Sequence, residues 1–449
     1  MSQTASPLGR KTVDNDRLAA AELIDIWPLL SVDERHEGFR QLESEEADQF
    51  FLGLSSLDQG ALLRSMRDVE RRLWIRLLAP DHAADVVQTF DGAERDGLLL
   101  LLDEPTRREV VALLAYEEDH AGGLMSPRYA RLRPDMLVDE AIRYLRRQAE
   151  SKLETLTYAY VLEHDQHLCG VVSLRHLFTS AGDSRISEVM RSNVVTVPET
   201  MDQEAVARII ARYRLAAVPV VNEAGQMQGI VTIDDIVGVV QHEATEDIHK
   251  LGGMEALSAP YMQTSLFGMV RKRAGWLSAL FVGEMLTASA MGHFEGEIAK
   301  AVVLALFVPL IISSGGNSGS QATTLIIRAM ALGEVKIRDF WRVIRKELFA
   351  GFALGAILAT IGFVRILVWQ ALFHTYGTHY VLVALTVSFS LLGVVTWGAL
   401  SGATLPFLIR KLGFDPASAS APFVATMVDV SGLLIYFNVA YLMLRGTVL

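Results

Sequence analysis

The sequence predicts a multidomain chain. An N-terminal α-helical superhelical domain is followed by tandem α/β repeats, a connecting helix, and a C-terminal α-helical membrane domain of five transmembrane helices. Three observations carry this reading. Charge divides along the chain, with 44 acidic and 30 basic residues in 1–273 but only 8 and 11 in 274–449. A strand–turn–strand–helix texture occurs twice between 124 and 247. Five apolar segments then follow, each with enough residues for a ~20-residue span.

Residues 1–17 read as a flexible tail, with no apolar run of the kind that opens a secretory signal. Residues 18–122 form the helical acidic domain. Leucines recur at helical spacing in ALLRSMRDVERRLWIRLL (61–78), and cap-like starts precede helices at SVDE (31–34), SSLDQ (55–59) and APDHAAD (79–85). The first α/β repeat is placed at 123–184, with YAYVLEHDQHLCGVVSLRHLF (158–178). The second is placed at 185–245, with AAVPVVNEAGQMQGIVTIDDIVGVV (216–240). A connecting, plug-like helix is expected over 246–273, with a weak point at Gly252-Gly253, and the membrane domain over 274–449.

The apolar segments are 275–292, about 299–330, 349–369, 380–409 and 421–444. Arg271–Arg273, the loop from Arg328 to Lys346, and Arg410-Lys411 fall on one side of five spans, whereas 292–300 and 374–380 carry little positive charge. That pattern predicts a multi-pass protein of the inner (plasma) membrane with its N-terminus cytoplasmic and its C-terminus outside. The single cysteine, Cys169, excludes an internal disulfide and fits a reducing cytosol. An acidic soluble half disfavours nucleic acid as a partner and suits cations; acidity as a solubility device accounts for the same charge.

Asp429 stands inside the last apolar segment, where a carboxylate costs ~3 kcal/mol to insert. That segment holds no basic residue near it, so the expected counter-charge is a mobile cation. In the second segment, PLIISSGGNSGSQATTLIIRA (309–329) places the helix-weakening Pro309, Gly315, Gly316 and Gly319 beside Asn317, Ser318, Ser320, Gln321, Thr323 and Thr324. Those residues suit a pore wall offering neutral oxygens to a hydrated ion; a small-residue packing interface between helices suits them too. Hard oxygen ligands without sulfur or imidazole favour magnesium. Glu284, a second intramembrane acid, is expected to pair with Arg365 of the third span.

The two α/β repeats, opened by LMSP (124–127) and VMRS (189–192), resemble a tandem pair of CBS domains. Taken with the acidic helical domain, EATEDIHKL (243–251), GGNSGSQATTLIIRA (315–329) and VDVSGLLIY (428–436), the chain resembles the MgtE family of magnesium channels from about residue 18 to its end. The resemblance implies a homodimer in a lipid membrane with a central pore, Mg2+ held at Asp429, and a further metal-associated acid at Asp415. It also implies a cytosolic magnesium sensor, whose matching acids are Asp81, Asp85, Asp202, Glu204, Asp235, Glu243, Glu246 and Asp247, with Gln49, Arg214 and Gly238 standing where the family offers acids. Arg214 is expected beside Asp202 and Glu204. The CBS pair implies ATP or another adenine nucleotide, with Thr232 toward phosphate and Asp235 toward ribose; an inert repeat fits Ser173 and His176 in the first copy and leaves the second open.

The resulting expectation is a Mg2+-selective channel for uptake down the membrane potential, closed by cytosolic Mg2+. The alternative is a secondary ion transporter, for anions among others, with CBS regulatory domains; Asp429 without a membrane Lys or Arg beside it argues against that. No Walker motif, nucleophile triad or metal-hydrolase spacing is present, so an enzyme is not expected.

Overall fold

The computed structural model describes residues 20–149, 153–257, 261–262, 264–296 and 302–445, so the tail expected over 1–17 lies outside the described residues. The chain forms two compact units, Met1–Glu243 and Ala244–Leu449, each described by itself.

The first unit opens with eight short helices: α1 (Ala20–Ile26), α2 (Val32–Arg40), α3 (Ser44–Gly53), α4 (Ser56–Ser65), α5 (Asp68–Ile75), α6 (Pro80–Gln88), α7 (Gly92–Leu101) and α8 (Glu104–Leu113). Several starts have a local cause. Ser31 and Glu34 form a reciprocal capping box, the Ser55 hydroxyl accepts from the Asp58 amide, and Pro80 occupies the first turn of α6. Helices too short to stand alone pack on the helix two along, α2 on α4, α4 on α6 and α6 on α8, which winds them into a superhelix.

The repeats follow as α9 (Ala121–Leu124), β1 (Arg131–Leu132), α10 (Val138–Gln148), β2 (Tyr158–Leu162), β3 (Leu168–Ser173) and α11 (Leu174–Thr179), then α12 (Ile186–Val189), β4 (Val197–Pro198), α13 (Gln203–Tyr213), β5 (Ala217–Val221), β6 (Met227–Thr232) and α14 (Ile233–Leu251). Each repeat builds one three-stranded sheet with a parallel first pair and an antiparallel second pair. The two even share a register shift at the same place, Val161/Leu162 and Val220/Val221. The apolar core of the helical domain, with Phe51, Leu63 and Ile75, runs on into Val206, Ile210 and Val218 of the second repeat.

The second unit contains α15 (Leu266–His293), α16 (Val302–Ala305), α17 (Val308–Ala331), α18 (Phe340–Phe373), α19 (Tyr380–Lys411) and α20 (Ala421–Leu444). Five helical stretches are long and apolar enough to cross a membrane: Leu266–His293, Val302–Ala331, Ile337–Phe373, Tyr380–Lys411 and Ala421–Leu444. The connector breaks at the expected weak point, Gly252-Gly253, and so is not the single helix placed over 246–273: α14 runs unbroken from the second repeat to Leu251, Gly253 turns the chain at φ +70°, and Leu266 already begins α15. Only Gly253 fits that turn: a Cβ there would lie 2.7 Å from the Trp276 indole nitrogen as well as strain the backbone.

The glycines of 315–319 do not break their helix either. α17 is continuous, and the interruption lies earlier, between α16 and α17, with Pro309 in the first turn after it. Gly315 and Gly319 instead let α17 lie against Gly398 and Gly402 of α19, backbone to backbone. Thr323 Oγ1 donates to the Gly402 carbonyl at 2.8 Å and Ser318 Oγ to the Val395 carbonyl at 3.1 Å, sealing the contact with interhelical hydrogen bonds. A methyl group at position 398 would strike the Gly315 carbonyl oxygen. Gly398→Ala is therefore expected to cost about 1–3 kcal/mol, read as earlier unfolding in a detergent denaturation series; unaltered unfolding would contradict the contact.

Candidate metal centres

In the first unit the superhelix and the second repeat bring acids together. α6 buries Pro80, Asp81, Ala83, Ala84, Val86 and Val87, so its inward face carries Asp81 into the core, with Asp85 one turn further on. Asp81 is only 4% exposed, and neither carboxylate oxygen has a side-chain donor, although the Asp81 and His82 amides of the first turn favour its charged form. Donor atoms of Asp81, His82 and Glu154 lie within 4.8 Å of one another. Asp235, in the first turn of α14, accepts from the Thr232 amide at 2.9 Å and hydroxyl at 2.7 Å through Oδ2.

Electrostatics follow from crowding. Burial raises the Asp81, Asp235 and Glu154 carboxyls above their ordinary range, and Asp81 raises the latter two further. Burial, then Asp81, Glu118 and Asp235, push Asp85 up to about 7, against the pull of His82. Burial alone would lower the His82 imidazole, but Asp81, Asp235, Asp85 and Glu154 together raise it. The constellation fits a cation: hard oxygens, among them a buried carboxylate with no side-chain donor.

The other candidate acids of this unit have local partners. Asp202 caps α13, accepting from the Glu204 and Ala205 amides at 3.0 and 3.2 Å, and Glu204 pairs with Arg208 at 2.9 Å. Glu243 accepts from Gln203 Nε2 at 2.5 Å. Arg214 does not stand beside Asp202 and Glu204. It terminates α13 in a left-handed conformation, φ 52°, so a helix of 11 residues, about 16 Å at 1.5 Å per residue, separates it from them. Gln49 and Gly238 are exposed. At the start of α14 Asp235 accepts from both the Thr232 amide and hydroxyl, whereas at α11 the direction reverses and the Ser173 hydroxyl accepts from the His176 amide.

In the second unit Asp429 is half-buried on α20 and lies within hydrogen-bond reach of Glu284 on α15. Glu284 therefore does not pair with Arg365, whose guanidinium stacks on Trp369 at 5.0 Å and reaches the Tyr376 hydroxyl at 3.3 Å. Among the described residues neither Asp429 nor Glu284 forms an ion pair. Gly316 opens the space beside them: a Cβ at 316 would lie 3.7 Å from Asp429 Oδ1 and 3.4 Å from Ala425. Gly315 faces Val394 and Val428 and belongs to the packing. Asn317, Gln321 and Thr324 recur at helical spacing along an exposed stripe of α17, the Thr324 hydroxyl donating to the Ser320 carbonyl at 2.9 Å.

Asp415 and Glu246 are bridged by the ammonium of Lys250, a residue absent from the expected sites. Lys250 Nζ donates to Asp415 Oδ2 at 2.7 Å and to Glu246 Oε1 at 2.5 Å, and the two acids raise the lysine above its ordinary value against the opposing effect of burial. Asp415 also accepts from the Ala417 amide at 2.9 Å. Asp247, next to Glu246, is half-buried on α14.

Two outcomes follow. Carboxyls raised in the native state stabilise the fold while protonated and withdraw that stability as pH rises through the native value. Without divalent cations the protein should melt lower at pH 8 than at pH 5, because Asp85 titrates at about 7. Adding a divalent cation should restore several degrees at the higher pH, since ~1 kcal/mol is worth ~2–4 °C in a domain of this size. A chelated sample that melts higher at pH 8 would sink this account of the cluster. Second, Lys250→Gln leaves Glu246 and Asp415 facing each other. A half-exposed bridge of this kind is worth up to ~1 kcal/mol, so the variant should melt slightly earlier in chelator and gain more than the parent from a divalent cation; identical gains would show that the bridge does not occupy a cation position.

The comparisons bear on the whole chain. A family model described as the MgtE intracellular N domain matches residues 18–119, CBS domains match 121–182 and 186–242, and MgtE, a divalent cation transporter, matches 308–439. The magnesium transporter MgtE of Thermus thermophilus is 39% identical over 428 residues, covering 95% of this chain and 93% of its own. That of Enterococcus faecalis is 34% identical, covering 75% of this chain and 72% of its own. A crystal structure of the cytosolic domain of the Mg2+ channel MgtE in complex with ATP is 38% identical, covers 49% of this chain and 90% of that one, and superposes with a TM-score of 0.47. Identity sustained across the helical domain, both repeats and the spans assigns the chain to the MgtE family of divalent cation transporters.

Proposed function

We propose that this protein conducts Mg2+ into the cell down the membrane potential and is closed by cytosolic Mg2+ binding to the first unit. The observation that carries the transport reading is Asp429 beside Glu284 in apolar helices, without an ion pair among the described residues and with Gly316 leaving room for an ion. Magnesium keeps its waters, so outer-sphere contact with two carboxyls and nearby amides and hydroxyls suits it. The names borne by the relatives, magnesium transporters of matching length, support the same ion.

Closure is assigned to Asp81, Asp85 and Asp235, whose repulsion a bound cation relieves; any state that positions them for the ion is favoured as its concentration rises. A homodimer is supported by the polar stripe of Asn317, Gln321 and Thr324, which lipid cannot satisfy and which a second copy would enclose with water. Exposed Phe281, Val282, Met285 and Leu286 on α15 suit lipid or that second copy. The basic loops support a cytoplasmic N-terminus and an outward C-terminus. An adenine nucleotide would use the Thr232 hydroxyl and Asp235, and would then compete with the cation for the same carboxylate.

The test is Asp429→Asn in proteoliposomes under an imposed potential. Uptake of Mg2+ is expected to fall at least about tenfold, the equivalent of ~1.4 kcal/mol, with Glu284→Gln giving a smaller loss. Transport of unchanged rate and selectivity in Asp429→Asn would falsify the pore assignment.

A further inference from the structure

Magnesium is a poor match for one feature of the acid cluster. His82 contributes an imidazole nitrogen to the same 4.8 Å group as the Asp81 and Glu154 carboxylates. Imidazole adds little for a hard ion that prefers oxygen and water, and much for the later first-row divalent ions such as cobalt, nickel and zinc. Two further facts point to a ligand. Asp81 is only 4% exposed, and neither of its oxygens has a side-chain hydrogen-bond donor, the Asp81 and His82 amides at the start of α6 being the donors closest to hand. His82 is the most exposed of the three residues, although its ring is partly desolvated by its surroundings.

We propose that Asp81, His82 and Glu154 form a binding site for a first-row divalent transition ion, making the first unit responsive to such ions as well as to magnesium. The inference rests on the reading of this cluster as a cation sensor and adds the class of ion. Asp81 supplies a carboxylate free of side-chain donors and His82 a nitrogen. Glu154 supplies a carboxylate anchored by the Ser126 hydroxyl, which donates to Oε2 at 3.3 Å. Asp81 and Glu154 balance the ion's two charges, and Asp85 and Asp235 stand close enough to interact with His82 and add negative potential without entering the group of three. Two carboxylates and one imidazole leave positions for water, which allows exchange.

The test uses the full-length protein in detergent with millimolar magnesium throughout, titrated with Co2+ and followed by visible absorption. Mn2+-loaded samples are examined by electron spin-echo spectroscopy for coupling to an imidazole nitrogen. Co2+ is expected to bind at one site at least about tenfold more tightly than Mg2+, and the Mn2+ sample to show the nitrogen coupling. His82→Gln should abolish the coupling and weaken Co2+ by about 10–100-fold while weakening Mg2+ far less; Glu154→Gln should weaken both ions. Co2+ that binds no better than Mg2+, or a nitrogen coupling that survives His82→Gln, overturns the inference. Failure of the underlying reading looks different: Asp81→Asn would then still close with magnesium although the parent chain binds Co2+ with nitrogen coupling.

Discussion

A carboxylate held from water with no fixed counter-charge raises the free energy of whatever fold holds it, and this chain does so in both units. Asp81 is carried inward because the face of α6 that presents it also presents Ala83, Ala84, Val86 and Val87, whose burial holds the helix in place. Asp429 is carried into an apolar helix whose neighbours supply a second acid, Glu284, in place of a base. A single such group costs ~3 kcal/mol in a membrane, a sizeable share of the ~5–15 kcal/mol that stabilises a typical domain. The surrounding packing therefore has to be strong. Glycine-to-glycine contact of α17 with α19, sealed by Thr323 and Ser318, is where the membrane unit finds that strength.

Much of the architecture was legible because it is periodic. The internal repeat appears as two sheets of one topology with matching register shifts, and length with apolarity located the five spans. Glycines were harder to read, because unwinding and close packing both want a residue without Cβ; only Gly398 and Gly402 across the interface decide between them. The expected pairing of Glu284 with Arg365 fails because helix adjacency is not a one-dimensional property, and α15 packs on α20. Arg214 lies twelve positions from Asp202, which looks near until the intervening residues are seen to be one helix.

Of the candidate sites, the acids were readable and their partners were not. Lys250 is four residues after Glu246 on one helix, a spacing that signals a pair, yet nothing local points to Asp415, 165 residues away. His82 sits next to Asp81 in the sequence, but Glu154 reaches the same group from the segment before β2, which only the folded repeat brings close. Residues adjacent in space through a domain contact leave no trace in spacing.

The two kinds of carboxylate site differ in what can change them. At Asp415 the neutralising charge is an ammonium on the same chain, always present and raised well clear of physiological pH, so that bridge cannot report an ion concentration. At Asp81, Asp85 and Asp235 the built-in compensation is one imidazole against several acids, and the shortfall must be met by protons or by a cation. A divalent cation drawn inward down a potential of 100 mV gains ~4.6 kcal/mol, enough for about three decades of accumulation, so a channel of the kind proposed needs a brake that tracks what has already entered. Under the proposed function, the cluster of Asp81, Asp85 and Asp235, whose acids outnumber its one imidazole, is the site fitted to supply one. Its free energy falls as the ion binds, by RT ln(1 + [L]/Kd), and that dependence, absent from the lysine bridge, is the quantity that a closed state can exploit.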